Sequence, residues 1–256
     1  MRPVNALVIS IENETPIIKT IEFDRSLGPM PGQYVMVWIR GLDEIPMSFS
    51  DSNRITVHAV GEATRALIDV HPGDSIGLRG PLGNGFSFSG EKILLIGGGV
   101  GVAPLAFLGE RAKKAGIEVT SLIGFRSSAD MIFRSRFKSI GNTIITTDDG
   151  SFGIAGYVSA GLKELNLDEF DQIYLCGPEL MMWDIISRAK GHAGKIQACI
   201  NRHFKCAIGV CGSCCLDPDG IRVCVEGPVI VAGKLLNSEF GRYKRGPDGV
   251  IGPCKG

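Results

Sequence analysis

Over the first 90 residues, apolar side chains arrive in short runs rich in β-branched and aromatic types, at 7–11, 17–23, 34–39 and 55–60. Glycine and proline punctuate the runs, most densely at 28–32, as they do between antiparallel strands. Several strands at this spacing predict a barrel or sandwich. Residues 64–70 predict a short helix, stopped by the His-Pro-Gly-Asp turn at 71–74. From Lys92 the period changes. Uninterrupted apolar strands at 93–96, 119–124, 143–147 and 173–176 alternate with helical patterns at 102–114, 129–137, 155–165 and 179–189. Strands interleaved with helices predict a parallel α/β sheet covered on both faces. Residues 195–200 read as its closing strand. The remainder is too small to hold a core alone. The expected order is therefore an N-terminal antiparallel β-barrel (1–90), a parallel α/β nucleotide-binding domain (91–200) and a small C-terminal segment (201–256).

Composition narrows the class. The chain has 256 residues, 27 basic and 27 acidic. Balanced charge gives no basic excess for nucleic acid, and no apolar run is long enough to span a bilayer. Small molecules and protein partners remain. The first residues do not read as a secretory signal, and abundant free thiols suit a reducing compartment, so a cytoplasmic location is expected.

The thiols carry the most specific chemistry. Cys206, Cys211, Cys214 and Cys224 are spaced C-x4-C-x2-C-x9-C, the plant-type [2Fe–2S] pattern. Small residues between them (Ala207, Gly209, Gly212, Ser213) let the loop wrap tightly and aim backbone N–H groups at sulfur. A structural zinc site would ordinarily present two C-x2-C knuckles, and only one is present. A disulfide framework would suit a small secreted chain. Cys215 reads as a buried small hydrophobe beside the ligand Cys214, and Cys176, Cys199 and Cys254 as non-ligands.

Two glycine-rich turns lie between strand and helix. The run 97–105 (G-G-G-V-G-V-A-P-L) can bring backbone N–H groups, at Gly98, Gly99 and Gly101, to a dinucleotide pyrophosphate. The acidic ribose ligand of the usual fingerprint is not evident at the expected distance, which points to a relative of that fold. Cys176-Gly177-Pro178 also opens a helix, where Gly177 allows close approach and Pro178 suits the first turn. Arg126, with Ser127 and Ser128, stands at a further strand end and could meet a ribose or a phosphate. Ser48 and Thr64 read by default as turn or cap residues.

In order, P-x-S at 46–48, G-x-x-T at 61–64, G-G-G-V-G-V-A-P, C-G-P-x-x-M and the cysteine motif resemble one family. It is that of the electron-transfer subunits of NAD-linked (type B) dihydroorotate dehydrogenase, within the ferredoxin–NADP reductase superfamily. The likeness covers essentially the whole chain and is most specific at 202–214 and 222–229. The resemblance implies FAD on the barrel, NAD in the α/β domain, a [2Fe–2S] cluster on the four cysteines, and a catalytic dihydroorotate dehydrogenase partner holding FMN, in a heterotetramer of two of each. It further implies that Pro46, Met47 and Ser48 line the isoalloxazine, with Ser48 its hydrogen-bond donor. Val57 and His58 would lie on the adjacent strand, and Gly61, Ala63 and Thr64 near the flavin phosphates. Electrons would pass from the partner through the cluster and FAD to NAD+, in pyrimidine biosynthesis, with no side chain as acid or base.

One departure stands out. The family pattern places Arg before P-x-S, and this chain has Ile45. A substitute at His58 or Arg65, weaker FAD binding or a different flavin would follow. The same module would also serve a ferredoxin–NADP oxidoreductase, sulfide dehydrogenase or hydrogenase-type complex, or a non-catalytic [2Fe–2S] sensor.

Overall fold

A computed structural model describes residues 2–246 and 248–254. Met1, Pro247 and residues 255–256, at the edges of the expected first and third units, lie outside the described residues. Six strands, β1 (Val4–Thr15), β2 (Ile18–Phe23), β3 (Tyr34–Trp38), β4 (Glu44–Asp51), β5 (Arg54–His58) and β6 (Ser75–Leu82), close a barrel in the order β1-β2-β5-β4-β3-β6. All its pairings are antiparallel. Its interior is the apolar side of the alternation: Val8, Ile21, Phe23, Val35, Val37, Phe49, Ile55 and Val57 are all buried. The helix α1 (Glu62–Ile68) plugs one end with Leu67 and Ile68.

The second sheet contains β7 (Lys92–Gly98), β8 (Glu118–Phe125), β9 (Asn142–Thr147), β10 (Ile154–Ala155), β11 (Gln172–Cys176) and β12 (Ile196–Cys199). Helices α2 (Val102–Lys114), α3 (Arg134–Ile140) and α4 (Glu179–Arg188) connect them. β7 is buried from Ile93 to Gly98, the signature of a strand covered on both faces. α2 buries nearly every residue from Val102 to Gly109 and ends on Arg111, Lys113 and Lys114, cations suited to a helix C-terminus. Its two sides serve different cores. Leu105 and Leu108 pack on the sheet, whereas Phe107 belongs to the barrel interior. Arg136 of α3 strengthens the joint by donating to Ser50 O (3.0 Å) while paired with Glu110 (2.7 Å).

The C-terminal segment adds β13 (Cys215–Leu216), β14 (Ile221–Arg222), α5 (Val223–Glu226), β15 (Val229–Val231), α6 (Ala232–Leu236), β16 (Tyr243–Arg245) and β17 (Ile251–Pro253). The large sheet runs β10-β9-β8-β7-β11-β12-β15, with β15 antiparallel at the edge. β12 is thus an inner strand rather than the closing one. Edge pairing explains this: the free ladder of β12 is satisfied by the chain that returns after the cysteines. Two further differences have local causes. Residues 155–165 form 3-10 turns over Val158–Glu164 instead of an α-helix, and Gly161 sits where a Cβ would meet Leu122 at 2.4 Å. The helix expected at 129–137 starts later, at Arg134, after a separate turn at Ser128–Asp130.

Candidate functional site: a cleft at the strand-order reversal and a thiol loop beside it

From β7 the chain proceeds outward through β8, β9 and β10, then returns to place β11 and β12 on the other side. In an open α/β sheet a crevice forms at the carboxyl ends of the strands flanking such a reversal. Here those ends are Gly97–Gly98 of β7 and Cys176 of β11, paired through Cys176 and Gly97. The barrel roofs the crevice, leaving a cleft of about 530 Å³. It is lined from the barrel by Pro46, Met47, Ser48, His58 and Thr64, and from the sheet by Gly98, Gly99, Gly101, Cys176, Gly177 and Pro178. Eleven residues singled out from sequence therefore face one space.

Three do not line it. Val57 is fully buried in the barrel core, Ala63 packs against that core, and Gly61 caps α1. The Thr64 hydroxyl is engaged locally, accepting the Gly61 N–H (2.9 Å) and donating to Gly61 O (3.0 Å). Ser48 is no turn residue: it lies on β4 opposite Tyr34 and looks into the cleft. Ile45 packs against the barrel core opposite Val37, where a cation would be out of place. Of the two residues considered as its substitute, His58 lines the cleft, while Arg65 is exposed on α1 outside the lining.

Close approach is built into the glycine turn. A Cβ on Gly101 would stand 2.5 Å from Gly177 Cα, so these two motifs touch through backbone alone. At Gly98 a Cβ would meet side chains, Met181 Sδ at 2.4 Å and the Pro178 ring at 3.3 Å. Arg126 and Asp130 also line the cleft, the latter accepting from the Ser127 hydroxyl at 2.7 Å. Asp130 brings a carboxylate to the cleft from the turn Ser128–Asp130 that follows β8, a position that sequence spacing did not reveal. Tyr34 and Asn201, which carried no motif of their own, are further lining residues, as is Phe204 from the start of the cysteine segment.

The thiol loop abuts the cleft. Residues 201–214 contain no regular strand or helix. Ala207, Gly209 and Gly212 adopt left-handed backbone (φ 55°, 78° and 74°), which curls the loop around its sulfurs. The Cys211 N–H approaches Cys206 Sγ at 3.5 Å, and the Cys224 N–H approaches Cys214 Sγ at 3.4 Å. Among the described residues, no three His, Cys, Asp or Glu side chains gather around a single-ion position. The thiols stand instead as two pairs, Cys206 with Cys211 and Cys214 with Cys224. Two pairs suit a binuclear iron centre, whereas structural zinc takes one tetrahedral set. Burial raises Cys206, yet N–H groups of Ile208, Cys211 and Val210 outweigh it and draw the thiol down to about 6. That favours the thiolate a metal requires. Cys224, buried and hydrogen-bonded to Cys214, is pushed up to about 12, as a buried thiol without compensating charge must be. Burial likewise raises Cys215, which lies half-buried on β13.

The cleft and the loop share supports. Arg202, four residues before the first cysteine, is buried between Glu179 at the N-terminus of α4 (2.8 Å) and Glu239 (3.3 Å). Glu179 also accepts the Gly241 N–H at 2.8 Å. This buried network ties the Cys176-Gly177-Pro178 turn to the cysteine segment. Burial raises the Tyr34 phenol well above its ordinary value and keeps it protonated, so its O–H donates.

Comparison with known proteins agrees with both halves of the site. Residues 201–236 match the iron–sulfur cluster binding domain of dihydroorotate dehydrogenase B, and residues 95–186 match the oxidoreductase NAD-binding domain. A probable dihydroorotate dehydrogenase B (NAD(+)), electron transfer subunit of Methanocella arvoryzae is 51% identical over 97% of this chain and 98% of its own. Its counterpart from Methanocaldococcus jannaschii is 40% identical over 97% of each chain. The structure of an NADH-dependent reduced ferredoxin–NADP oxidoreductase superposes with a TM-score of 0.81 at 27% identity, over 89% of this chain and 88% of that one. The FAD/NAD-binding domain of a Vibrio cholerae nitric oxide dioxygenase shares the fold, with a TM-score of 0.69 at 22% identity over 77% and 98%. A barrel joined to a switch-point cleft, followed by paired thiols, thus has full-length relatives, and the chain belongs to the family of electron transfer subunits of dihydroorotate dehydrogenase B (NAD(+)).

Proposed function

We propose that the cleft binds FAD against Pro46, Met47 and Ser48, with the nicotinamide of NAD entering between the Gly98–Gly101 turn and Cys176-Gly177-Pro178. The four thiols Cys206, Cys211, Cys214 and Cys224 would hold the [2Fe–2S] cluster in two pairs. The cluster would supply one-electron transfer and the flavin would join it to two-electron hydride chemistry, which fits relatives named as NAD(+)-linked electron transfer subunits. The chain's own task is placement. Glycine turns let dinucleotide backbone and ring approach closely, Ser48 offers a hydroxyl from a rigid strand, and apolar walls exclude water. His58, which lines the cleft, is best placed to replace the arginine absent at Ile45. Asp130 suits the hydroxyls of an unphosphorylated ribose, which favours NAD.

The supporting observation is the shared wall: Tyr34 and Phe204 line the cleft and also adjoin the cysteine segment. The partner would be a catalytic dihydroorotate dehydrogenase subunit holding FMN, in an assembly of two of each. Around Cys211, which is itself exposed, Ile208 and Val210 present apolar surface, 59% and 78% exposed, as a docking face would. Among the described residues no helix is long and apolar enough to cross a membrane, and we assign the protein to the cytoplasm.

Purified protein reconstituted with iron, sulfide and FAD should carry one flavin and one [2Fe–2S] cluster per chain. Absence of bound flavin would sink the reading in favour of a sensor. With the FMN subunit added, dihydroorotate should reduce NAD+. If only a ferredoxin-linked partner supports turnover, the second reading, favoured by the bifurcating oxidoreductase's similarity, replaces it.

A further inference from the structure

Two side chains of the barrel reach across to the cysteine loop, and they reach different halves of it. Tyr34 opens β3 and is fully buried, and its hydroxyl donates to the carbonyl of Cys224 at 2.9 Å. Arg79 on β6 donates from Nη1 to the carbonyl of Cys206 at 3.4 Å. Glu44 on β4 holds the rest of that guanidinium by a fork of 2.8 and 2.5 Å. The two carbonyls belong to the first and last cysteines of the motif, one from each thiol pair. Tyr34 also forms part of the cleft wall, and its ring packs on Phe204 at 4.8 Å between centroids, two residues before Cys206. A single side chain therefore touches both the space for the flavin and the backbone of a ligand cysteine.

We propose that Tyr34 is a positioning residue that couples the flavin pocket to the cluster, its ring forming the pocket wall and its hydroxyl fixing the Cys224 half, while Arg79 fixes the Cys206 half. This rests on the assignment of the cleft and the four thiols made above. A loop without regular structure leaves the peptide groups beside its ligands free to reorient, and their dipoles contribute to the field at the metal. The Tyr34 hydroxyl removes that freedom at Cys224 and sets its positive hydrogen against the carbonyl oxygen. Removing the hydroxyl leaves a buried acceptor unpaired and the carbonyl's negative end no longer offset by the positive hydrogen. The reduced, more negative cluster is then less favoured, and its potential must fall. A ligand pressing on the Tyr34 ring would move the same peptide, so filling the pocket should be felt at the cluster.

The experiment uses the full chain reconstituted with iron, sulfide and FAD, as wild type, Tyr34→Phe, Arg79→Lys and Tyr174→Phe. Tyr174 is the control, a buried tyrosine whose hydroxyl donates to Ser87 O at 3.0 Å. Iron, sulfide and flavin contents are measured first. A wild type lacking either group overturns the cofactor assignment itself, which separates that failure from failure of the coupling. With both groups present, Tyr34→Phe should lower the cluster's midpoint potential and change the g values of the reduced cluster, with Arg79→Lys giving a smaller change and Tyr174→Phe none. Removing FAD should alter the wild-type g values and leave those of Tyr34→Phe unaltered. The proposal is overturned if Tyr34→Phe matches wild type in potential and g values, or if Tyr174→Phe shifts them equally.

Discussion

The cleft and the cysteine loop lie against each other and are built in opposite ways. The cleft is made by the ends of buried strands: Gly97 and Cys176 sit in a continuous parallel ladder, and Ser48 on a closed barrel. Its shape is set by the packing of α2 between two cores. The loop at 201–214 has no ladder of its own, and backbone donors turn toward its sulfurs, from Cys211 within it and from Cys224 on α5. A preformed pocket and a ligand-organised loop should respond differently when their ligands are lost.

The largest test of that contrast is at the thiols. Changing Cys206, Cys211, Cys214 or Cys224 singly to Ser should abolish the cluster's visible absorption while flavin stays bound, whereas Cys215→Ser should keep both. An essential Cys215 would overturn the pairing. Next in size is the tie between the two regions. Glu179→Ala strands the buried Arg202 beside Glu239 alone and should cost about 3–5 kcal/mol, read as a lower midpoint in anaerobic denaturant unfolding. A loss within 1 kcal/mol, on the order of an exposed pair, would show that the network is not needed to join them.

Within the cleft, Gly101→Ala sets a Cβ against Gly177 backbone at 2.5 Å, whereas Gly98→Ala meets side-chain atoms, chiefly of the flexible Met181. NAD binding, followed by titration, should weaken more than tenfold, about 1.4 kcal/mol, in the first and less in the second; the reverse order would mean the turn does not carry the dinucleotide. Iron removal under argon should raise amide exchange across 201–226 and leave β7 and β11 protected. Equal loss in both would erase the contrast. The smallest effect is at Ser48→Ala, about 0.5–1.5 kcal/mol of FAD affinity for one hydrogen bond, and an unchanged affinity would move the flavin donor elsewhere.

Much of the architecture was legible because it rests on local periodicity. The strands at 93–96 and 173–176 and the helix at 102–114 lie where apolar pattern placed them. β4 and β6 were not visible: Glu44–Asp51 carries a proline and few branched residues, and Ser75–Leu82 is interrupted by glycines. Barrel closure gives these weak segments partners on both sides. Likewise Val229–Val231 is only three residues and becomes a strand because β12 offers an edge. In the site, the motif residues could be named in advance. Tyr34, Arg79 and the Arg202 network could not, since each acts through a neighbour distant in sequence, nor could Asp130, which only the fold brings to the cleft.

By itself the sequence determined the chemistry available to this protein: which thiols have iron–sulfur spacing, which turns admit a dinucleotide, and where sheet gives way to α/β alternation. Those follow from spacing and residue type, which act over a few positions. Only the tertiary structure decided that glycine turn, P-x-S strand and Cys-Gly-Pro turn open onto one cleft. It also decided that the cysteines stand as two pairs and that Tyr34 spans from the cleft to Cys224, 190 residues away. Contacts at such separation depend on barrel closure and strand-order reversal, which no local pattern encodes.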